Sequence, residues 1–175
     1  MTSKQLQSSL IRGVAQTDLA MAKQLADQVS GRAARDQAYS ALVRQAARDN
    51  PASAVDLVAS IQDERMRSAA TQNLVNRWVN SDRIAARRWV SGLQPGASRD
   101  ASILSLTGNM QGADDELYRL ISTIEDKEKR SQAKMQYIYQ AAGGDITLIR
   151  QMMNDPDISD EHREKMEQAF ASDRY

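Results

Sequence analysis

The carboxylate pairs and the single histidine are the residues of this chain whose types could support acid–base chemistry. Carboxylates stand side by side at three places, Asp63-Glu64, Asp114-Asp115 and Glu125-Asp126. Each pair falls at the start of an expected helix, where acids cap the backbone and favour the helix dipole. One histidine needs further ligands to hold a metal, so we interpret His162, next to Glu161 and Arg163, as part of a solvated helical face.

The chain shows no signature of an enzyme. It contains no cysteine, which excludes disulfides, thiolate metal sites and a cysteine nucleophile. Its serines do not fall in a GxSxG turn, and it has no glycine-rich phosphate loop. We therefore expect a non-catalytic protein that needs neither a cofactor nor a metal.

Arginine is the polar residue that recurs most regularly. It stands at one register near the start of a helix in four successive segments, as Arg35, Arg67, Arg99 and Arg130. The planar guanidinium donates to carboxylates and carbonyl groups in a fixed geometry. We interpret these residues as a structural ladder, in preference to a ligand site. Each side chain is expected to bond an acid or a helix-end carbonyl of an adjacent repeat.

A denser basic patch lies near the middle of the chain. It contains Arg77, Arg83, Arg87 and Arg88. A charge run of this kind is usually a solvated face, and contact with phosphate or with an acidic peptide is the alternative. Trp78 and Trp89 occupy apolar helical positions, so we expect both rings in the core rather than stacked on bases.

The elements that would position these residues form a repeat with a period of 31 or 32 residues. Small or apolar residues recur with one spacing in four copies: Ala22, Leu25, Ala26, Val29, Ala38 and Leu42; Ala54, Leu57, Val58, Ile61, Ala70 and Leu74; Ala86, Trp89, Val90, Leu93, Ser102 and Leu106; Leu117, Leu120, Ile121, Ile124, Ala133 and Tyr137. Each copy predicts a helix A, a short turn, and a helix B that begins near the recurring arginine. Such a period is typical of a solenoid.

Polar turns predict the limits of the repeats. They lie at Thr17-Asp18, Asn50-Pro51, Ser81-Asp82, Ala113-Asp114 and Gly144-Asp145. In each turn an N-cap residue or a first-turn proline begins helix A. We predict one domain over residues 1–175, with a half repeat at 1–16, repeats at 17–48, 49–80, 81–112 and 113–143, and a terminal hairpin at 144–175.

The two ends differ from the repeats between them. Leu6 and Leu10 stand 32 residues before Ala38 and Leu42, so the first segment has the register of a helix B without its helix A. We expect that a longer array has been cut here, because solenoids usually begin with a dedicated cap. Near the other end Ser159 precedes a charged helix, whose polar outer face suits a capping unit.

The spacing resembles that of the tetratricopeptide repeat. Counted back from Ala70, small or apolar residues fall at minus sixteen, minus thirteen, minus twelve and minus nine, which are Ala54, Leu57, Val58 and Ile61. The family glycine is replaced by Ala26, Val58, Val90 and Ile121, and HEAT-like and Sel1-like hairpin repeats remain alternatives. The resemblance implies an all-α, right-handed superhelix of about five hairpins that binds a partner in its concave groove.

The resemblance places this groove on helix A. Transferring the groove positions gives Ala20, Lys23 and Asp27; Ala52, Val55 and Ala59; Ile84, Arg87 and Ser91; and Asp115, Tyr118 and Ser122. The candidate binding residues among them are Lys23, Asp27, Val55, Arg87, Asp115 and Tyr118. Because two of these are cations, we expect an acidic or amphipathic segment of another protein, anchored on Lys23, Arg87 and Tyr118. Neither Arg87 nor Tyr118 is expected to support the packing between repeats.

A structural alternative needs no partner. The small residues of this face would then let the helices pack tightly, or the chain's own terminal helix would lie in the groove. In that case the groove positions would carry no binding function.

Charge is balanced in total but not along the chain. The 23 Lys and Arg equal the 23 Asp and Glu, which argues against a dedicated nucleic-acid binder.

Because the sequence contains no long apolar run, we expect no membrane span, and a soluble protein of the cytoplasm or the periplasm. Two alternatives to the protein-binding scaffold stay open: a nucleic-acid-binding repeat, and the superhelical non-catalytic part of a larger enzyme.

The uneven charge predicts head-to-tail self-association at low ionic strength. Residues 1–110 carry 14 basic against 9 acidic residues, and residues 111–175 carry 9 against 14. Opposite ends attract, and salt screens the attraction. Sedimentation velocity should therefore show species larger than the monomer that disappear as salt is added. A monomer at high protein concentration and every salt concentration would contradict this prediction.

Overall fold

The computed structural model describes residues 3–110, 112–143 and 145–172, and all regular structure in these ranges is helical. The helices are α1 (Ser3–Val14), α2 (Leu19–Asp27), α3 (Arg32–Asp49), α4 (Val55–Ala59), α5 (Glu64–Ser81), α6 (Arg83–Ser91), α7 (Ala97–Gly108), α8 (Asp115–Ile121), α9 (Lys127–Ala142), α10 (Ile146–Met152) and α11 (Asp160–Ser172). A 3-10 turn at Pro51–Ala54 leads into α4. The all-α prediction is confirmed. No helix within these ranges has both the length and the apolar character needed to cross a membrane.

The helices group into two compact units, Met1–Asp82 and Arg83–Tyr175. In the first unit α3 packs against α2, α4, α5 and the 3-10 turn, and α1 packs against α2 and α3. In the second unit α7 packs against α6, α8 and α9, while α9 also packs against α10 and α11. The prediction of a single domain with five repeat limits stays a prediction, and Gly144 of the fifth turn lies outside the described residues.

The recurring apolar positions form the core of both units. Nearly all of them are buried, and the half-buried exceptions are Leu25, Ala38, Trp89 and Leu93. Helix B buries a second stripe that the spacing did not predict, made of Tyr39, Thr71, Ile103 and Lys134 together with Val43, Val75, Thr107 and Ile138. The stripe is wide because α3, α7 and α9 are each covered by several neighbouring helices. Trp78 is buried, as predicted.

Acidic residues cap the helices, as expected for the carboxylate pairs. The Asp63 and Asp126 side chains accept from the backbone N–H groups of Met66 and Lys129, at 2.9 and 3.0 Å. Asp18 and Asp114 do the same for α2 and α8. These bonds satisfy backbone donors that a helix start leaves without partners. The acids therefore have a structural role that requires no catalysis.

Helix B begins earlier than the recurring arginine. The α3 and α5 helices begin at Arg32 and Glu64, three residues before Arg35 and Arg67. The α3 and α7 helices each follow a glycine in a conformation that other residues rarely adopt, with φ of 89° at Gly31 and 137° at Gly96. The arginines consequently lie on the first turn of helix B, beside the end of helix A.

This position decides where the arginine ladder bonds. Arg35, Arg67 and Arg130 donate to the carbonyl six residues earlier, which lies in the turn that follows helix A of the same repeat. The prediction of a partner in an adjacent repeat is therefore wrong for Arg35 and Arg67. It is right for Arg99, whose guanidinium donates to the Thr123 carbonyl at 3.4 Å and to Thr123 Oγ1 at 2.9 Å. Arg130 also reaches forward, with Nε 3.1 Å from Asp157 Oδ1.

The residue after the arginine makes the link between repeats that we had assigned to the arginine itself. Asp36 is buried, and its two carboxylate oxygens each accept, at 2.9 Å, from the N–H groups of Gln62 and Asp63 in the next repeat. Asp100 is also buried and accepts from Glu125 and Asp126 at 3.4 and 3.3 Å. A buried carboxylate is stable only when such donors satisfy it. We call Asp36 and Asp100 the forward braces.

One position of the repeat is occupied by leucine three times, as Leu10, Leu42 and Leu74, and the exposure of these side chains differs. Leu42 and Leu74 are fully buried, whereas Leu10 is 56% exposed. The same side chain therefore contributes very differently to packing at the three positions. That the first segment is a half repeat stays a prediction.

Leu74→Ala should lower the free energy of unfolding by about 2 to 5 kcal/mol, because it leaves a cavity in a packed core. The matched control is Leu10→Ala, which should cost under about 0.5 kcal/mol since the side chain is largely in water. Urea unfolding followed by circular dichroism measures both values. Equal losses for the two variants would mean that the register is wrong.

Candidate functional site

A cleft between α6 and α8, both in the second unit, brings together the side chains best suited to bind a ligand. Its volume is about 450 Å³, within the usual range of ligand sites. It is lined by Ile84, Arg87, Arg88, Ser91, Glu116, Arg119, Leu120 and Thr123. Three guanidinium groups thus face one carboxylate, beside the side chains of an isoleucine and a leucine.

Arg87 is held in place by two carboxylates from the start of α8. Its guanidinium forms ion pairs with Asp114 and Glu116, and its side chain is only 19% exposed. Asp114 has further structural duties, since its side chain caps α8 at Leu117 and its N–H donates to the Tyr137 hydroxyl at 2.8 Å. The Arg87–Asp114 pair therefore ties α6 to α8 and fixes one wall of the cleft.

Arg88 and Arg119 differ from Arg87. Both are exposed, and neither guanidinium makes a hydrogen bond or an ion pair with any residue in the described ranges. A free guanidinium presents five N–H donors in a planar arrangement that matches carboxylate and phosphate groups. The cleft can therefore offer two unengaged anion-binding groups.

The remaining cleft residues provide an apolar surface. Ile84 is 62% exposed, and Leu120 is buried. The hydroxyl groups of Ser91 and Thr123 donate to backbone carbonyls of their own helices, Arg88 and Leu120. These hydroxyls are thus already engaged, and Thr123 Oγ1 also accepts from Arg99. The uncommitted chemistry of the cleft is cationic and apolar.

The groove positions predicted for the third repeat line this cleft, and those for the fourth do not. Ile84, Arg87 and Ser91 are lining residues, whereas Asp115, Tyr118 and Ser122 are not. A cleft between successive helices is lined by opposite flanks of those helices, so equivalent repeat positions cannot all face it. The residues that follow them directly, Glu116 and Arg119 on α8 and Thr123 just after it, line the cleft instead. Shifting the transferred groove positions of the fourth repeat by one residue along the sequence would have identified Arg119.

Tyr118 supports packing, contrary to expectation. Its hydroxyl donates to Asp155 Oδ2 at 2.5 Å, and its ring centroid lies 4.9 Å from that of Tyr137. Burial, followed by the hydrogen bond to Asp155, raises the pKa of Tyr118 above its ordinary range. Arg87 is likewise engaged in structure. The expectation that neither residue supports the packing between repeats is wrong.

The groove residues predicted in the first unit are dispersed over α2 and α4. Lys23 is half-buried without a bond to the described residues, and Val55 is half-buried at the start of α4. Asp27 accepts from the Tyr39 hydroxyl. Burial, then the hydrogen bond and charge of Asp27, raise the pKa of Tyr39 to about 12. A smaller cavity of about 230 Å³ lies elsewhere in this unit, lined by Ile11, Arg12, Gln37, Ala38, Ala41 and Arg44. A groove shared by all the predicted residues stays a prediction.

His162 is not on a solvated face, so that interpretation is wrong. Its Nδ1 lies 2.8 Å from Ser131 Oγ and 2.9 Å from Ser159 Oγ, and its Nε2 lies 3.6 Å from Glu128. Serine, histidine and glutamate recur in hydrolases, but here Ser131 is buried and accepts from the Ser159 N–H. Its hydroxyl is therefore inaccessible from the surface. These residues join α9 to the start of α11.

A buried lysine completes the attachment of the terminal hairpin. Lys134 Nζ lies 2.8 Å from both oxygens of Asp155 and 2.7 Å from Asp157 Oδ2. Burial of Asp155 raises its pKa, but the hydrogen bonds from Lys134 and Tyr118 outweigh this and leave its pKa below 3.8. The hydrogen bond from Lys134 likewise lowers the pKa of Asp157 below 3.8. Within the described ranges no group of three metal-ligating side chains is present.

No protein-family model, curated protein or solved structure matches this chain significantly. Its function must therefore be argued from its own residues.

The lysine cluster predicts a loss of stability in acid. Because the two aspartates have lower pKa values folded than unfolded, their contribution is present above about pH 4 and is lost as pH falls through the folded pKa values. Lys134→Met should cost about 1 to 3 kcal/mol at pH 7, since it leaves the half-buried Asp155 without its cation, while Asp157 keeps its ion pair with Arg130. Urea unfolding at neutral and acidic pH should show this difference shrinking in acid. A difference that is the same at both pH values would contradict the assignment.

Proposed function

We propose that this chain is a non-catalytic binding scaffold that captures an acidic, amphipathic segment of another protein in the cleft between α6 and α8. The observation that carries the proposal is the pair of unengaged guanidinium groups, Arg88 and Arg119, in a cleft of about 450 Å³. Affinity for an anion requires cationic donors that are not already neutralised by the protein. These two arginines meet that requirement.

The chemistry of the lining favours an amphipathic segment over a small anion. Ile84 and Leu120 offer apolar contact next to the arginines. A partner helix or extended segment could cover the apolar side chains with one face and present carboxylates to the cations with another. Burial of apolar surface contributes affinity, while charge complementarity contributes specificity and association rate.

A nucleic-acid partner receives less support from the same residues. Guanidinium groups bind phosphate well, but the cleft lining contains no aromatic side chain on which a base could stack. Trp89, on α6, is half-buried and does not line the cleft. We therefore retain the protein segment as the partner and use an oligonucleotide as a comparison in the test.

The repeat interpretation forms part of this proposal. The regular succession of short and long helices and the burial of the recurring positions support an α-hairpin repeat scaffold. The tetratricopeptide-like family and the right-handed superhelix rest on the resemblance in spacing alone. A role as the non-catalytic part of a larger enzyme is compatible with the same cleft.

Arg88→Glu with Arg119→Glu should weaken binding of a labelled amphipathic peptide carrying glutamates and leucines by roughly tenfold or more, because both cations become repulsive. The thermal midpoint should change little, since neither guanidinium has a partner in the described ranges. Fluorescence anisotropy at low and physiological ionic strength measures the affinity.

The matched control is Arg48→Glu with Arg65→Glu, which makes the same charge change at exposed positions of α3 and α5 outside the cleft. This variant should bind the peptide within about twofold of the wild type. Equal weakening by both double variants would show that net charge, rather than the cleft, governs binding. Tighter binding of a single-stranded oligonucleotide than of the peptide would favour the nucleic-acid alternative.

A further inference from the structure

The two carboxylates that bind Arg87 differ in how firmly the structure holds them. Asp114 caps α8, and its side chain is 27% exposed. Glu116 lines the cleft, its side chain is 69% exposed, and it makes no other bond within the described ranges. Removing Asp114 would disrupt a helix start, whereas Glu116 can leave Arg87 without disturbing any other contact.

An exposed ion pair of this kind is weak. Solvent screens its Coulomb energy, and ordering a long side chain costs entropy. When Glu116 moves away, Asp114 still holds Arg87 on the other side of the guanidinium. One edge of Arg87 then becomes free to bind a carboxylate that enters the cleft.

We propose that Glu116 is a stand-in for a carboxylate of the partner, which displaces it from Arg87 on binding. This inference rests on the proposed function, because it concerns the same cleft and the same acidic segment. Arg88, Arg119 and the freed edge of Arg87 then form three cationic positions. The cleft thereby selects segments with three clustered carboxylates over segments with two.

This selection depends on competition between Glu116 and a carboxylate of the partner for the Arg87 guanidinium. A segment with two acids binds Arg88 and Arg119 and leaves the Arg87–Glu116 pair intact. A segment with a third acid replaces one weak ion pair with another, and the displaced Glu116 side chain can turn towards solvent, where screening weakens its repulsion of the partner's carboxylate. The gain is small for a single exchange and depends on the correct position of the third acid.

The test is Glu116→Gln, which keeps the side-chain size and removes the competing charge. It should bind an amphipathic peptide with three glutamates roughly fivefold more tightly than the wild type does, the upper range for an exposed ion pair. A matched peptide with the third glutamate replaced by glutamine should gain no more than about twofold, from the general field. Anisotropy titrations at low ionic strength measure both gains, and their ratio forms a double-mutant cycle.

Two controls separate displacement from other effects. Glu164→Gln makes the same charge change on the exposed face of α11 and should leave both affinities within about twofold. Asp114→Ala should lower the thermal midpoint because it removes the α8 cap and the ion pair with Arg87, whereas Glu116→Gln should not.

The possible outcomes are distinguishable. Equal gains for the two peptides, or no gain, would overturn the stand-in role of Glu116 while loss of binding in Arg88→Glu with Arg119→Glu still supports the cleft. If that double variant binds the three-glutamate peptide as the wild type does, the proposed function and this inference both fail.

Discussion

The buried carboxylates of the forward braces, Asp36 and Asp100, are the constraint on which two of the links between successive repeats depend. Asp36 and Asp100 each bond two backbone N–H groups in the turn between the helices of the following repeat. A charged group inside a protein is tolerated only if its hydrogen bonds are made, and leaving it without donors costs several kcal/mol. Each brace therefore sets the position of the next turn, and with it the start of the next helix B.

The brace at Asp100 also explains why the cleft keeps its shape. Arg99 and Asp100, at the start of α7, hold Thr123, Glu125 and Asp126 at the far end of α8. The near end of α8 is fixed to α6 by Arg87 and Asp114. Because α8 is anchored at both ends, Arg119 and Leu120 are presented from a short but well-supported helix. Rigid support reduces the entropy lost when a partner binds.

Periodicity was enough to predict the helices and most of the core, because burial of apolar side chains follows the helical period. It could not predict contacts that depend on the position of one helix beside another. Arg35 and Arg99 share a register, yet one bonds its own repeat and the other bonds Thr123. Arg119 was missed because a cleft uses opposite flanks of its two helices. His162 was interpreted as solvated because its neighbours in sequence are polar or charged. Its partner Ser131 is 31 residues away, and contact between them depends on how α9 packs beside α11.

Each forward brace accepts from N–H groups further along the chain. This decides which pair of neighbouring helices contains both the carboxylate and its donors. Asp36 lies at the start of α3, and the N–H groups it binds lie after α4. A segment from Arg32 to Asp63, helix B followed by the next helix A, contains both partners, whereas a segment of helix A followed by helix B separates them. Duplication or exchange of repeats would therefore preserve the buried carboxylate when the breakpoints fall in the turns before helix B. For Asp36, the helix pair that contains all the partners of the buried carboxylate is α3 with α4 and the turn after it.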